Sequence, residues 1–107
     1  MVKISKIKIT VLKKFKPGEV FKKTPADSNI KDDCSLFTVG QEFIIDDNSV
    51  VGKIPEGFCT WAWNDLFGVL THLRLGGDFP WMNEEGVTVA CCTDGFRPVI
   101  FKLERIK

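Results

Sequence analysis

The stretch from Gly57 to Trp81, GFCTWAWNDLFGVLTHLRLGGDFPW, constrains the fold of this chain more than any other. Apolar side chains recur in it at the three- and four-residue spacing of an α-helix, and such a stripe is normally buried against another element. The stripe consists of Cys59, Ala62, Trp63, Leu66, Leu70 and Leu73. Thr60 is predicted to be the N-cap, and Gly76 or Gly77 to supply a left-handed stop. One long amphipathic helix is therefore expected.

The segment before this helix begins with a regular alternation of apolar and polar side chains. In residues 3–15, Ile7, Ile9 and Val11 share one face, and this period of two predicts a half-buried strand of an antiparallel sheet. The lysines of this region are interpreted as a solvated strand face and loop. Residues 16–33 are polar and contain Pro, Asp, Ser and Asn, so we predict an exposed loop there.

Shorter strands are predicted between that loop and the helix. Residues 42–45 have the composition of a strand that follows a turn at residues 40–41. Residues 46–48 predict a second turn, since the spaced acidic ligands of a calcium-binding loop are absent. Residues 50–51 could add a further short strand, and residues 19–22 another within the loop.

The end of the chain predicts a β-hairpin. Residues 87–92 and 97–107 are two apolar-rich runs, and residues 93–95, Thr-Asp-Gly, have the composition of a tight turn between them. Cys91 and Cys92 are neighbours on the first run, so their side chains point to opposite faces. The alternation assigns Cys91 to the core, along with the valines that precede it at odd positions, and Cys92 to the opposite face.

The order of elements along these 107 residues is strands, one helix and strands again. This order is typical of an α+β domain. We predict a single domain, residues 1–107, with a mostly antiparallel sheet, one main α-helix and a C-terminal β-hairpin. The sheet could stay open or curl toward a barrel. A domain of this size buries only a modest core and often gains stability by oligomerising, so we expect a homo-oligomer.

The charge balance excludes some classes of partner. The chain has 15 basic and 14 acidic residues and a net charge of +1, which gives no electrostatic basis for binding nucleic acid or an anionic membrane. No segment is long and apolar enough to span a membrane, and residues 1–15 lack the core of a signal peptide. We expect a cytoplasmic protein, whose cysteines are then reduced thiols.

Several short motifs occur together in this chain. They are Cys34 with Val39-Gly40-Gln41-Glu42-Phe43, Pro55-Glu56-Gly57-Phe58-Cys59, Gly76-Gly77-Asp78-Phe79-Pro80-Trp81, and Cys91-Cys92-Thr93-Asp94 with Pro98-Val99-Ile100-Phe101. As a set they resemble a family of short bacterial and archaeal proteins, known as a domain of unknown function that is sometimes found in tandem copies. The resemblance implies that Cys34, Cys59 and one of the final cysteine pair belong to a shared pattern. The chain departs from it at Thr60-Trp61, where a proline is expected, and no activity comes with the resemblance.

Cys59 is the first candidate for chemistry. It lies at the predicted N-terminus of the helix, where backbone N–H groups and the helix dipole favour a nucleophilic thiolate. The alternative is that Cys59 is a small buried hydrophobic residue at the head of the core stripe. His72 cannot be its general base within one subunit, because the two residues lie about 20 Å apart along one helix.

A small-molecule pocket is the preferred hypothesis for function. It would be formed by the helix N-terminus, the loop at residues 78–81 and the final hairpin, with Cys59 as the reactive group. Its predicted ligand-binding residues are Trp61, Asp78, Trp81, Cys92, Asp94 and Arg97. An exposed Trp61 would equally suit a subunit interface. These residues predict no particular cofactor, and they do not distinguish catalysis from simple binding.

Two alternatives stay open. In the first, the chain is a homo-oligomeric interaction module whose exposed aromatics and sheet edges pair between subunits. In the second, Cys34, Cys59 and Cys92 converge on zinc or another soft metal, with Asp94 or His72 completing the site. The spacing argues against the second, because structural zinc ligands usually come in close pairs and this chain has no CxxC motif.

Overall fold

The computed structural model describes residues 4–46 and 52–106. The elements in chain order are β1 (Lys6–Lys14), α1 (Pro17–Val20), β2 (Glu42–Ile45), α2 (Thr60–Arg74), β3 (Val87–Cys91) and β4 (Val99–Ile106). The four strands form one antiparallel sheet in the order β2-β1-β4-β3, and α2 packs on one of its faces. The predicted α+β class, with one main helix and a C-terminal hairpin, is confirmed. The sheet is not closed into a barrel: within the described ranges, β2 and β3 are its two edges.

The apolar stripe of α2 forms one side of the core. Its fully buried members are Ala62, Leu66, Leu70 and Leu73. Cys59 and Trp63 are partly buried against the same cluster. The opposing side is one face of the sheet, made of Ile7, Ile9, Val11, Phe43, Ile45, Val99, Phe101 and Leu103. Full burial of each such side chain contributes about 1.5–3 kcal/mol, so the contact between helix and sheet is the main source of stability.

The ends of α2 are fixed by Cys59 and by a glycine. Cys59, and not Thr60, is the N-cap, because the carbonyl of Cys59 accepts the first helical hydrogen bond, from the N–H of Trp63 at 2.9 Å. The thiol of Cys59 makes no capping hydrogen bond. At the other end Gly76 has a φ of +92°, a left-handed conformation that glycine adopts without a Cβ clash. The predicted glycine stop is confirmed.

A β-bulge changes the course of β1. Val11 and Lys13 pair with consecutive residues of β4, so Leu12 is an extra residue between them. The bulge reverses the alternation, and Lys14 points to the core side of the sheet. Lys14 was predicted to lie on a solvated face, and that prediction is wrong.

The ammonium group of Lys14 binds the loop before β2, at residues 33–37. Its Nζ donates to the carbonyl oxygens of Phe37 at 2.7 Å and Cys34 at 3.0 Å, and lies 3.4 Å from Oδ1 of Asp33. Phe37 is buried and packs edge-on against Phe101 in the core. Lys14 therefore holds in place a segment that brings an aromatic ring to the sheet.

β3 presents the opposite faces from those predicted. Thr88 is buried and Ala90 packs against the core, whereas Val89 is 49% exposed and Cys91 is exposed. Cys92, just beyond the strand, packs against the core. The physical reason is that α2 lies over β3, where small side chains leave room for a helix. The assignment of Cys91 and the odd-numbered valines to the core is therefore wrong.

The remaining predictions concern the segments between the long elements. Residues 16–33 are largely exposed, but residues 17–20 form the short helix α1 and not part of a strand. Pro17 at the first helical position favours this turn, as does Glu19, whose carboxylate accepts the N–H of Lys16 at 2.9 Å. The predicted turn at 46–48 and strand at 50–51 lie largely outside the described residues. No helix in the described part of the chain is long and apolar enough to cross a membrane.

Candidate functional site

Asp78, predicted to anchor a ligand, is engaged inside the protein. Its Oδ1 accepts hydrogen bonds from the backbone N–H of Gly86 at 2.5 Å and from Nη2 of Arg105 at 2.8 Å. These two donors, Gly86 first, lower the pKa of Asp78 below its usual value. Nη1 of Arg105 in turn donates to the carbonyls of Leu73 at 3.1 Å and Gly77 at 2.7 Å. Asp78 and Arg105 thus join the end of α2 to the start of β3.

The three predicted ligand-binding residues of the final hairpin also make internal contacts. Oδ1 of Asp94 accepts the backbone N–H groups of Phe96 at 2.9 Å and Arg97 at 3.1 Å, and Nε of Arg97 lies 3.7 Å from Oδ2 of Asp94. These contacts shape residues 92–98, a connection longer than the predicted tight turn. The sulfur of Cys92 accepts the N–H of Val99 at 3.4 Å.

The four cysteines are free thiols that differ in exposure. Cys34, Cys59 and Cys92 are each half-buried against the core cluster, and Cys91 is exposed on the other face of the sheet. Within residues 4–46 and 52–106, no group of three or more His, Cys, Asp or Glu side chains could hold a metal ion. The geometry gives no support to a thiolate metal site, and Cys59 is partly buried against the core cluster.

Two strongly exposed tryptophans lie at opposite ends of α2. Trp61 is 69% exposed in the first turn, beside a shallow depression of about 230 Å³ that Thr93 also lines. Trp81 is 72% exposed and stacks on Phe79, with ring centroids 5.2 Å apart. Phe79 also stacks on His72, which is about 16 Å along the helix axis from Trp61. The structure therefore does not bring Trp61 and Trp81 together in one pocket.

One side of α2 is held against the two ends of β3. Oδ2 of Asp65 accepts the backbone N–H of Thr93, just beyond β3, at 2.6 Å. Nε2 of His72 lies 2.9 Å from the carbonyl oxygen of Asp78, whose carboxylate binds the residue before β3. Asp65 and His72 share one side of the helix, and by helical spacing Trp61 falls on that side too. This side of α2 therefore faces the β3 edge of the sheet, and α2 runs antiparallel to β3.

In the described residues β3 pairs with β4 alone, and two hydrogen bonds define which of its backbone groups face outward. The N–H of Cys92 donates to the carbonyl of Val99 at 3.2 Å, and the N–H of Arg105 donates to the carbonyl of Gly86 at 2.7 Å. Hydrogen-bonded pairs alternate with non-hydrogen-bonded pairs along an antiparallel ladder. In the observed register, the even-numbered residues of β3 therefore bond to β4. The residues whose N–H and C=O point away from the sheet are Val87, Val89 and Cys91.

The free edge of β3 and the two exposed tryptophans form one surface, which we call the edge surface. Its members are Val87, Val89, Cys91, Trp61 and Trp81. Trp61 adjoins Thr93 at one end of β3, and Trp81 lies at the other end, beside Phe79. Sheet edges are normally protected by proline, lysine or a bulge, and β3, VTVAC, has none of these. The edge surface carries backbone groups that can bond to another chain, while the side chains of its β3 members point to the sheet face away from α2.

The sequence interpretation missed some of these residues for identifiable reasons. Asp65 and Arg105 find their partners 28 and 27 positions away in the chain, and no local pattern predicts a contact over that separation. The composition of β3 gave no signal for a free edge, because a strand without charge or proline is unusual at the border of a sheet. The strand order that places it there was the missing information.

Comparison with known proteins finds no protein that is similar to this chain. No family model, no curated protein and no solved structure matches this chain. The resemblance to a domain of unknown function therefore stays a prediction, and the function has to be argued from the geometry of the chain.

Proposed function

We propose that this protein is a non-catalytic interaction module that binds another polypeptide chain along the edge surface. The observation that carries the proposal is the row of outward-directed backbone groups of Val87, Val89 and Cys91, between Trp61 and Trp81. An exposed strand edge of this kind accepts an added strand, with affinity from main-chain hydrogen bonds.

The side chains of the edge surface suit the same role. Val89 is about half exposed and has the β-branched shape that packs well against a neighbouring strand. Trp61 and Trp81 each present a large rigid ring, and tryptophan is over-represented among the residues that dominate binding energy at interfaces. The surface therefore combines a template for a strand with two aromatic anchors.

The polar residues that a pocket would need are used in other ways. Asp78, Asp94 and Arg97 make hydrogen bonds and ion pairs within the protein, and Cys92 packs against the core. A catalytic acid, base or nucleophile has to reach its substrate directly or through one water molecule. This use of the polar side chains favours binding over catalysis.

The proposal is tested by selecting peptides from a displayed random library against the protein, immobilised sparsely so that its copies cannot meet. Wild type should enrich extended peptides with alternating apolar residues. Val89→Pro should enrich none, because proline removes the outward N–H while leaving the hydrogen bonds between β3 and β4 intact.

Val89→Thr is the matched control, since threonine keeps both the N–H and the β-branched shape, and it should select peptides as wild type does. Circular dichroism of both variants verifies that they are folded. A library that yields no binder, or binders that Val89→Pro retains, would overturn the proposal.

A further inference from the structure

We infer that the partner is a second copy of this chain, and that two β3 strands pair antiparallel about a two-fold axis through Val89. This inference rests on the proposed function and names the occupant of the edge surface. Two-fold pairing joins the two sheets edge to edge into one continuous sheet, and it uses the same surface on both subunits.

The register follows from which residues have outward backbone groups. Only an axis at Val89 pairs all the residues of β3, so that Val89 faces its own copy and Val87 faces Cys91 of the other subunit. These are the positions whose N–H and C=O point away from β4, and the pairing forms about six hydrogen bonds between subunits. Displacing the strand by one pairing step in either direction leaves an end of β3 without a partner.

The same symmetry brings the helices together. An axis perpendicular to the joined sheet keeps both α2 helices on one face, with their β3-facing sides toward each other. Because the β3 strands are antiparallel, Trp61 of one subunit lies toward the Trp81 end of the other. Gly68 lies between Trp61 and His72 on this side of α2 and has open space where a Cβ would be, so the helices can approach closely.

Charge and area agree with self-association. β3 carries no charged residue and the net charge of the chain is +1, so two copies repel each other weakly. The tryptophans of the edge surface, at 69% and 72% exposure, offer roughly 400 to 700 Å² from two subunits when a tryptophan side chain buries 150–250 Å². With the paired strands this approaches the roughly 1,000 Å² that a specific interface needs.

The first measurement is the mass in solution by sedimentation velocity, from low to high micromolar protein. Wild type and Val89→Thr should sediment as dimers at high micromolar protein. Val89→Pro should remain a monomer at concentrations at least tenfold above the one at which wild type dimerises. A wild-type monomer throughout overturns the inference. Peptide selection that still depends on Val89 would then leave the proposed function standing, and its absence would overturn both.

The second measurement tests the register by disulfide formation. Val87→Cys places a thiol opposite Cys91 of the partner, at the Cα separation of about 5.5 Å that both a hydrogen-bonded pair and a disulfide adopt. Oxidised glutathione should convert this variant to a covalent dimer. The double variant Val87→Cys/Cys91→Ser should stay monomeric on a non-reducing gel, as should Thr88→Cys, whose side chain faces the core. Equal crosslinking of Val87→Cys with and without Cys91 would refute the register.

Discussion

The carboxylate of Asp78 accepts the backbone N–H of Gly86 at 2.5 Å, which fixes the residue before β3 to the segment that ends α2. At the other end of β3, Asp65 accepts the N–H of Thr93 at 2.6 Å. Asp65 of α2 and Asp78, four residues after α2, therefore hold the two ends of the edge strand.

Acid should weaken the fold through Asp78. The pKa of Asp78 is lowered in the folded state, so the folded protein binds fewer protons at this site than the unfolded chain. Its contribution to the free energy of unfolding is complete above the usual carboxylate pKa of about 4 and is lost as the pH falls through the folded-state value. We expect Asp78→Asn to unfold at lower urea at pH 7 and to lose less stability between pH 5 and pH 2. Equal pH dependence in both proteins would contradict this assignment.

Lys14 should contribute more to stability than its neighbour. Lys14→Met leaves the carbonyls of Cys34 and Phe37 without their donor, at a cost of about 2 kcal/mol. Lys13→Met is the matched control, because Lys13 is exposed and only lies over the ring of Phe15, a contact worth about 0.5–1 kcal/mol. Urea unfolding followed by tryptophan fluorescence measures both. The prediction fails if the two variants lose the same stability.

Gly77 should be essential to the position of the aromatic residues at the end of α2. A Cβ on Gly77 would lie 2.3–2.6 Å from the ring atoms of His72, so Gly77→Ala has to displace that ring from its stack with Phe79. We expect a changed near-ultraviolet circular dichroism spectrum with only a small loss of stability, because His72 is exposed and its ring can move aside. Gly95→Ala, where nothing lies within 4 Å of the added Cβ, should match wild type in both.

Cys91 should be the first thiol to react. It is exposed on the sheet face away from α2, whereas Cys34, Cys59 and Cys92 are half-buried. With a chromogenic disulfide reagent under native conditions, Cys91→Ser should abolish the fast phase of thiol release, and Cys59→Ser should retain it. If instead Cys59→Ser removes the fast phase, Cys59 is the activated thiol at the helix N-terminus.

The faces of the long elements could be predicted from the sequence because their pattern is strong. Ile7 and Ile9, and Phe101 and Leu103, place large apolar side chains at every second position, and a single sheet face has to bury them. The stripe of α2 is equally clear. These positions are determined by hydrophobic periodicity, which is a local property.

The parts that could not be predicted depend on distant partners. β3 has small or β-branched residues on both faces, so its inward side is decided by α2 above it and not by its own pattern. Lys14 is turned inward by a bulge that no residue type marks. Arg74, the last residue of α2, is a basic side chain that is nonetheless buried at 1% exposure, with Nη1 2.7 Å from the position that a Cβ on Gly52 would take. The candidate ligand-binding residue Asp78 likewise has partners, Gly86 and Arg105, that no local pattern reveals.

Leu12 is the one residue between Lys6 and Lys14 that has no partner in the ladder of β1 with β4. Val11 and Lys13 already pair with consecutive residues of β4, and on the other side of β1 Val11 bonds to the backbone of Gly40 and Gln41, just before β2. In most of a sheet, one inserted residue exchanges the buried and exposed sides of everything that follows. At Leu12 the chain can gain or lose a residue over evolutionary time without that exchange, which makes this position a natural place for length variation among descendants of this sequence.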